Sequence, residues 1–118
     1  HQGGNSRHQS VSKMITAKFV YSGDIITGFS VSGHSGSAEI GKDIICSAVS
    51  SASYMTVNTL TEIMLLNPEI IEKDGFLGIR LSKDEAAAAN DLLRGFELHL
   101  KELSELYPNY IKIERGAE

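Results

Sequence analysis

Two residues of this 118-residue chain have the types and spacing of a nucleophile and its general base. Cys46 is the only cysteine, and His34 lies twelve residues before it. A histidine that takes the thiol proton makes the cysteine a nucleophile and can later protonate the leaving amine. The spacing alone leaves a second interpretation open, in which Cys46 is a small packing residue and His34 is a solvated loop residue.

The residues around Cys46 predict the start of a buried helix. Asp43 is expected to cap a helix that runs from residue 44 to about residue 67, with Pro68 just past its end. Cys46 would then lie in the first turn, where backbone N–H groups lack intrahelical partners and the helix dipole is positive. Such a position stabilises a thiolate and offers donors to the oxyanion of an attacked carbonyl.

Two more polar residues are candidates for the same site. Asp43 could orient His34 as a third member, although helix capping explains an aspartate there equally well. Ser50 lies one turn beyond Cys46 on the same helix face. It could contact substrate or assist the reaction, and the alternative is a serine that packs in a close helix–sheet contact.

The segment between the two candidate catalytic residues is rich in glycine and serine. Its composition predicts a loop over residues 32–42, of which residues 35–42 are expected to be mobile until they bind something. The residues that give this composition are Gly33, Ser35, Gly36, Ser37 and Gly41.

The sequence argues against several other kinds of site. One cysteine and scattered histidines do not form a metal-ligand cluster, and His99 is expected on a polar surface. The glycines match neither of the phosphate-binding patterns GxxxxGKS/T and GxGxxG. No arginine follows Cys46 at the spacing of a tyrosine phosphatase. We therefore predict no metal and no cofactor.

The elements that must position these residues indicate an α+β fold. Apolar periodicity predicts strands at residues 14–21, 25–31, 76–81 and 110–114, with an extra short strand near residues 69–72. A second helix is predicted from a Ser82 cap, with Glu85 completing a capping box, to about residue 106. Its spacing predicts an apolar stripe, with acids and lysines on the opposite side, formed by Ala86, Ala89, Leu93, Phe96, Leu100, Leu103 and Tyr107. We expect a two-layer sandwich with two helices on one face of a mixed, largely antiparallel sheet, in the order β-β-α-β-α-β.

Length and composition predict one domain over residues 14–118. Residues 1–13 are polar and aperiodic, and we expect them to be a cloning remnant or a disordered arm. Arg7 and Lys13 are the only charges in that arm, so the net charge changes from −4 for the chain to −6 for residues 14–118. This acidity argues against direct nucleic-acid binding. No apolar run is long enough to span a membrane, and one cysteine cannot form an internal disulfide, so we expect a cytoplasmic location.

Residues 31–34, VSGH, and residues 41–50, GKDIICSAVS, resemble the ribosomal-processing cysteine protease family known as Prp. The family pattern is a Gly-His pair that ends a strand, then a glycine-containing loop, then a helix start of the form G-x-D-I-x-C-x-A-x-S. The resemblance extends from residue 14 to about residue 115. It implies a catalytic dyad of His34 and Cys46, with Asp43 and Ser50 associated with the site.

The resemblance also implies a substrate and an assembly. Members of the family remove a short N-terminal extension from large-subunit ribosomal protein L-twenty-seven, have a mobile loop between the catalytic residues, and are often dimeric. The resemblance thus implies that the precursor of this ribosomal protein is the partner and that the chain forms a homodimer. Two other functions stay open. One is a non-catalytic ribosome-associated module that binds a basic peptide or ribosomal protein and uses Cys46 only for packing. The other is a thiol acyltransferase that uses the same dyad and differs only in the acceptor.

Overall fold

The computed structural model describes residues 14–33 and 40–117, without the side chains of residues 40–42. The arm predicted at residues 1–13 lies outside the described residues. The elements in chain order are β1 (Ile15–Ser22), β2 (Ile25–Ser32), α1 (Ile40–Asn58), β3 (Glu69–Lys73), β4 (Phe76–Arg80), α2 (Lys83–Leu106) and β5 (Ile111–Ala117). A π-helical turn, Thr59–Ile63, continues α1.

The five strands form one mixed sheet in the order β3-β4-β2-β1-β5. Three neighbouring pairs are antiparallel, and only β1 and β5 run parallel, so the prediction of a mixed, largely antiparallel sheet is confirmed. The extra strand predicted near residues 69–72 is β3, which forms one edge of the sheet. Strand β5 forms the other edge and extends to Ala117, three residues beyond the predicted end.

The hairpin of β1 and β2 forms because its side chains alternate between the core and the other face of the sheet. Ile15, Ala17 and Phe19 are fully buried, and Phe19 pairs with Phe29 across the hairpin. Gly23 in the connecting turn has φ +64, a left-handed conformation that glycine adopts without a steric penalty. The hairpin therefore delivers the chain to the end of β2 just before the candidate histidine.

Helix α2 begins at its predicted cap. The Ser82 hydroxyl accepts the backbone N–H of Glu85 at 3.3 Å, and the Glu85 carboxylate accepts the backbone N–H of Ser82 at 3.2 Å. This capping box satisfies two donors that the helix itself cannot pair. The predicted apolar stripe is buried at Ala86, Ala89, Leu93, Phe96 and Leu100. Tyr107, predicted at the end of that stripe, is exposed instead.

Helix α1 differs from its prediction at both ends. It begins at Ile40, four residues earlier than predicted, so Asp43 lies inside the first turn and is not the N-cap. A carboxylate in the first turn also interacts favourably with the helix dipole, and an aspartate therefore does not by itself mark the first residue. At the other end the α-helix stops at Asn58 and the π-helical turn follows, well before Pro68.

Both helices pack on the same face of the sheet. One cluster of buried side chains joins the inward-facing residues of β1, β2 and β4 with those of α1 and α2. Phe96 of α2 contacts Phe29 with ring centroids 4.7 Å apart and Phe19 with centroids 5.6 Å apart. This is the predicted two-layer sandwich, and it leaves the opposite face of the sheet uncovered by the helices.

Candidate active site

Cys46 lies on the side of α1 that faces the sheet. Its side chain is 5% exposed and belongs to the buried cluster together with Ile45 and Val49. These residues share one side of the helix because their spacing follows the helical repeat. Burial alone fits a packing cysteine as well as a nucleophile, so the assignment of chemistry depends on the residues around Cys46.

The position of Cys46 along α1 corrects the electrostatic argument made from the sequence. Because the helix begins at Ile40, Cys46 is its seventh residue and lies in the second turn. Only the first four N–H groups of a helix lack intrahelical partners, and the effect of the dipole falls off within the first turn. The predicted first-turn position is wrong, and the helix end cannot surround the thiol with available N–H donors.

Ser50 and Asp43 share α1 with Cys46 but differ in their surroundings. Ser50 follows Cys46 by four residues and is half-buried, so the two side chains are neighbours along one helix face, as predicted. Asp43 is exposed in the first turn. Its carboxylate lies near the positive end of the helix dipole, and its role in orienting a histidine stays a prediction.

Gly33, the residue before His34, is held by backbone on two sides. Its N–H donates to the carbonyl of Gly75, in the turn between β3 and β4, at 2.9 Å. Its φ is +85, and a Cβ built there would lie 2.5 Å from the carbonyl oxygen of Met14. Only glycine fits this conformation and this approach, so the chain leaves β2 in one fixed direction.

The histidine itself and most of the predicted mobile loop lie outside the described residues. These residues are His34, Ser35, Gly36 and Ser37. The contact between His34 and Cys46 and the mobility of the loop therefore stay predictions. Gly41 lies inside α1, so the loop predicted for residues 35–42 ends before Ile40. The loop was predicted too long because Gly41 was assigned to it. A helix whose other face is buried tolerates a glycine, at some cost in stability.

The sequence of the whole sandwich carries a family signature. A model of the family described as cysteine protease Prp matches residues 14–112. That range includes Gly33, His34, Asp43, Cys46 and Ser50. The chain belongs to the Prp cysteine protease family. No curated protein matches it in sequence.

Several solved structures share this fold, and two of them are of a protease named Prp. SMU.848 from Streptococcus mutans is 28% identical with a TM-score of 0.79, over 92% of this chain and 99% of that one. The essential ribosomal processing protease Prp from S. aureus, in complex with a substrate peptide, is 24% identical with a TM-score of 0.78, over 86% and 99%. The S. aureus Prp with a covalently linked product peptide is 25% identical with a TM-score of 0.76, over 86% and 99%.

Two surface grooves of this Prp-family chain do not contain the candidate nucleophile. One groove, of about 400 Å³, includes Gly28, Phe76 and Arg80 on the sheet face away from the helices. The other, of about 1050 Å³, lies between α2 and the ends of β1 and β5. Neither is lined by Cys46 or Ser50, so neither supplies the immediate surroundings of the thiol.

Two kinds of feature are absent from the described part of this Prp-family chain. Residues 14–33 and 40–117 contain no group of three or more His, Cys, Asp or Glu side chains that could hold a metal ion. Within the same ranges, neither helix combines the length and the hydropathy that a membrane span requires.

A cluster of polar side chains around one buried carboxylate was not predicted from the sequence. Glu97 of α2 is buried and accepts the Tyr21 hydroxyl and the Arg115 guanidinium, with Arg115 Nε at 2.9 Å. Burial, followed by the hydrogen bond to Glu97, raises the pKa of Tyr21. The hydrogen bond to Glu97 also raises the pKa of Arg115, whose guanidinium lies 4.9 Å from the centre of the Tyr21 ring. The cluster ties α2 to β1 and to the parallel edge strand β5.

Proposed function

We propose that this chain is a cysteine endopeptidase that removes the N-terminal extension of large-subunit ribosomal protein L-twenty-seven during ribosome maturation. The observation that carries the proposal is the family match over residues 14–112, which spans both candidate catalytic residues. Cys46 on the core-facing side of α1 and Gly33 fixed at the end of β2 support it. The S. aureus relatives that hold a substrate peptide and a covalently linked product peptide support a covalent peptide reaction.

In the proposed reaction, His34 takes the proton of the Cys46 thiol and the sulfur attacks the scissile carbonyl. The tetrahedral intermediate collapses, the C–N bond breaks, and His34 gives its proton to the leaving amine. The N-terminal fragment stays on Cys46 as a thioester. His34 then takes a proton from water, the resulting hydroxide attacks the thioester, and the fragment leaves as a carboxylic acid while the thiol regains its proton.

The other candidate residues have supporting roles in this proposal. Ser50, one turn from Cys46 on the same face, is placed to contact the bound peptide. Asp43 orients His34 or favours the helix start through the dipole. Because Cys46 lies in the second turn, the oxyanion needs donors other than the first N–H groups of α1. The predicted loop before the start of α1, residues 35–39, is the proposed source of such donors.

The proposal includes a compartment and an assembly. The substrate is a ribosomal protein precursor, so the enzyme acts in the cytoplasm. The peptide would be the only macromolecular ligand of the site, with no direct contact to nucleic acid and no cofactor. The chain would work as a homodimer.

The test is a cleavage assay with a fluorogenic peptide that spans the junction between the extension and the mature ribosomal protein. The parent chain should cleave it, whereas the Cys46→Ala variant should bind it without cleaving. The matched control is Ser47→Ala, which removes the hydroxyl of the exposed residue next to Cys46. This variant should keep full activity.

Specificity is tested with a generic peptide of equal length. An enzyme dedicated to this precursor should cleave the generic peptide at least about 100-fold more slowly, because remote contacts must help position the scissile bond. Equal rates on the two peptides would contradict the substrate assignment. Cleavage that persists in Cys46→Ala would contradict the mechanism.

A further inference from the structure

The groove between α2 and the ends of β1 and β5 has one wall that is a single face of α2. The residues of this wall follow one another at intervals of three, one, three and three, which keeps them on one side of the helix. They are Asp91, Arg94, Gly95, Leu98 and Lys101. The groove holds about 1050 Å³ and is not lined by Cys46. It is therefore a concave surface separate from the candidate nucleophile.

Arg115 of β5 lines the same groove, and its guanidinium is already fixed in place. Glu97, whose side chain is only 9% exposed, accepts Nε at 2.9 Å and Nη2 at 3.2 Å. One face of the guanidinium lies over the Tyr21 ring, 4.9 Å from its centre. An arginine has five N–H donors, and Glu97 accepts two of them, so three are left for another acceptor. Because the Arg115 side chain is 66% exposed, its outer face is open to a ligand.

Arg94 and Lys101 bring two further positive charges to the groove. Neither of them forms an ion pair with residues 14–33 or 40–117. They lie roughly 10 Å apart along the helix axis. Leu98 lies between them in the sequence, on the same face, and is 56% exposed. Three cations thus lie around an apolar side chain, and this combination suits a ligand that has several negative charges and an apolar ring.

Gly95 leaves open space in the middle of this face. Glycine in the interior of a helix is less stable than alanine there. A Cβ built at Gly95 would meet no other part of the described chain within 4 Å, so a side chain has room. Packing within the chain therefore does not account for this glycine. A ligand that lies close to the helix backbone would account for it.

The unpaired acids of the groove lie at one end. The backbone N–H of Ile26 donates to Asn90 Oδ1 at 3.1 Å, which places the turn that carries Asp24 beside Asp91. The third acid of the groove, Glu97, is already paired with an arginine. The rest of the groove therefore has an excess of positive charge, although residues 14–118 together carry a net charge of −6.

From these features we infer that the groove binds a nucleoside diphosphate. The base would stack on the outer face of the Arg115 guanidinium, whose other face lies on Tyr21. The phosphates would accept hydrogen bonds from Arg94 and Lys101, and Gly95 would let the ligand approach the helix closely. A simple inorganic anion could use the charges, but it would leave the guanidinium plane and the apolar part of the groove without a contact.

The distribution of charge favours a free nucleotide over a nucleic-acid strand. The basic part of the groove is only about 10 Å long, and two acids lie at one end of it. A strand needs a continuous basic track, because its successive phosphates must all be neutralised. The acidic remainder of the chain would repel the neighbouring phosphates of a strand.

The test is isothermal titration calorimetry of the full chain with ADP, GDP and inorganic pyrophosphate, in buffer free of divalent cations. At least one nucleotide should bind about tenfold or more tightly than pyrophosphate, because only a nucleotide has a base to stack. No binding of either nucleotide at about 1 mM would overturn the inference. Equal affinities for the nucleotides and pyrophosphate would also overturn it. A single-stranded RNA of about ten nucleotides that binds more tightly than both nucleotides would overturn the assignment of a free ligand.

Lys101→Ala should weaken nucleotide binding at least about tenfold, because it removes a phosphate contact. The matched control is Lys83→Ala, which removes an exposed lysine of the same helix that lines neither groove. It should leave the dissociation constant within about threefold of the parent value. Arg115→Lys keeps the charge but loses the plane, so it should remove the preference for nucleotide over pyrophosphate. Equal losses in the two lysine variants would overturn the assignment to this groove.

Gly95→Leu should keep the fold, as measured by circular dichroism, because leucine is a better helix former and the position is open. Its side chain would fill the groove and weaken nucleotide binding at least about tenfold. Ala87→Leu, at an exposed position of α2 outside the groove, is the control and should bind like the parent chain. A folded Gly95→Leu variant with parent affinity would overturn the inference. Cys46→Ala should bind the nucleotide normally, so this test and the cleavage assay are independent.

Discussion

The backbone N–H of Gly33 donates to the carbonyl of Gly75 at 2.9 Å, which fixes the residue before His34 to the turn between β3 and β4. The carbonyl of Met14 approaches Gly33 from another side. Gly33 is therefore held where three separate segments meet: the end of β2, the turn between β3 and β4, and the residue before β1. The proposed general base is the residue that follows this support, and catalysis at a defined distance requires such rigidity.

Gly33→Ala should destabilise the fold and reduce cleavage. The added Cβ would lie 2.5 Å from the Met14 carbonyl oxygen, and the backbone is left-handed at φ +85. We expect a loss of about 2–3 kcal/mol in the free energy of unfolding, measured by urea denaturation. The control is Gly23→Ala, which has φ +64 but no atom within 4 Å of its Cβ position. It should cost only about 1–2 kcal/mol and leave cleavage unchanged; an equal loss in both variants would contradict the close approach at Gly33.

Glu97→Gln should lower stability more than the loss of an ordinary surface charge. Glu97 is nearly buried and accepts both Tyr21 and Arg115, but the Arg115 side chain is 66% exposed, so solvent screens the ion pair. We expect a loss of about 1–2 kcal/mol in the free energy of unfolding. The control is Glu114→Gln, which breaks the exposed pair with Lys112 and should cost less than about 0.5 kcal/mol. If the two variants unfold at the same urea concentration, the cluster does not stabilise the attachment of β5.

Acid should weaken the start of α2 through Glu85. Its carboxylate accepts the backbone N–H groups of Asn67 and Ser82, and these hydrogen bonds lower its pKa below the ordinary value of 4.5. A carboxyl with a lowered pKa in the folded state stabilises the protein above its unfolded pKa. That contribution disappears as the pH falls from about 4.5 through the folded value.

Glu85→Gln should therefore be less stable than the parent chain at neutral pH and approach it in stability below pH 4.5. Thermal melts of both proteins across this range measure the difference. Glu102→Gln, an exposed change later in α2, is the control and should show no such convergence. A stability gap that stays constant down to the lowest pH would contradict the role of the Glu85 hydrogen bonds.

Patterns within one segment predicted most of the fold. The Ser82 cap and the stripe through Leu93 and Leu100 identified α2, because a capping box and helical periodicity are both local in sequence. The alternation through Phe19 identified β1 for the same reason. The predicted start of α1 was wrong because an aspartate such as Asp43 suits the first turn of a helix as well as the N-cap. Local chemistry does not distinguish the two positions.

Features that join distant segments were not predictable from the sequence. Glu97 looked like another acid on the polar side of α2, and its burial depends on Tyr21 and Arg115, which come together only through the parallel pairing of β1 with β5. The Gly33–Gly75 hydrogen bond likewise needs the turn before β4 to lie beside the end of β2. The residue types of Cys46 and Ser50 indicated the candidate site. Only the structure shows that Cys46 lies in the second turn of α1 and that Ser50 lies one turn later.

Alkylation of Cys46 reports directly on the proposed dyad, because it is the only cysteine and every modified molecule is modified there. If His34 accepts the thiol proton, His34→Ala should slow the reaction with iodoacetamide at about pH 6.5 by roughly tenfold or more, since the thiolate is the reacting species. His99→Ala, which removes an exposed histidine of α2, should leave the rate unchanged. In urea all three proteins should react alike, which shows that the difference belongs to the folded site. Equal rates for the folded parent chain and His34→Ala would mean that His34 does not activate Cys46, whatever the cleavage assay shows.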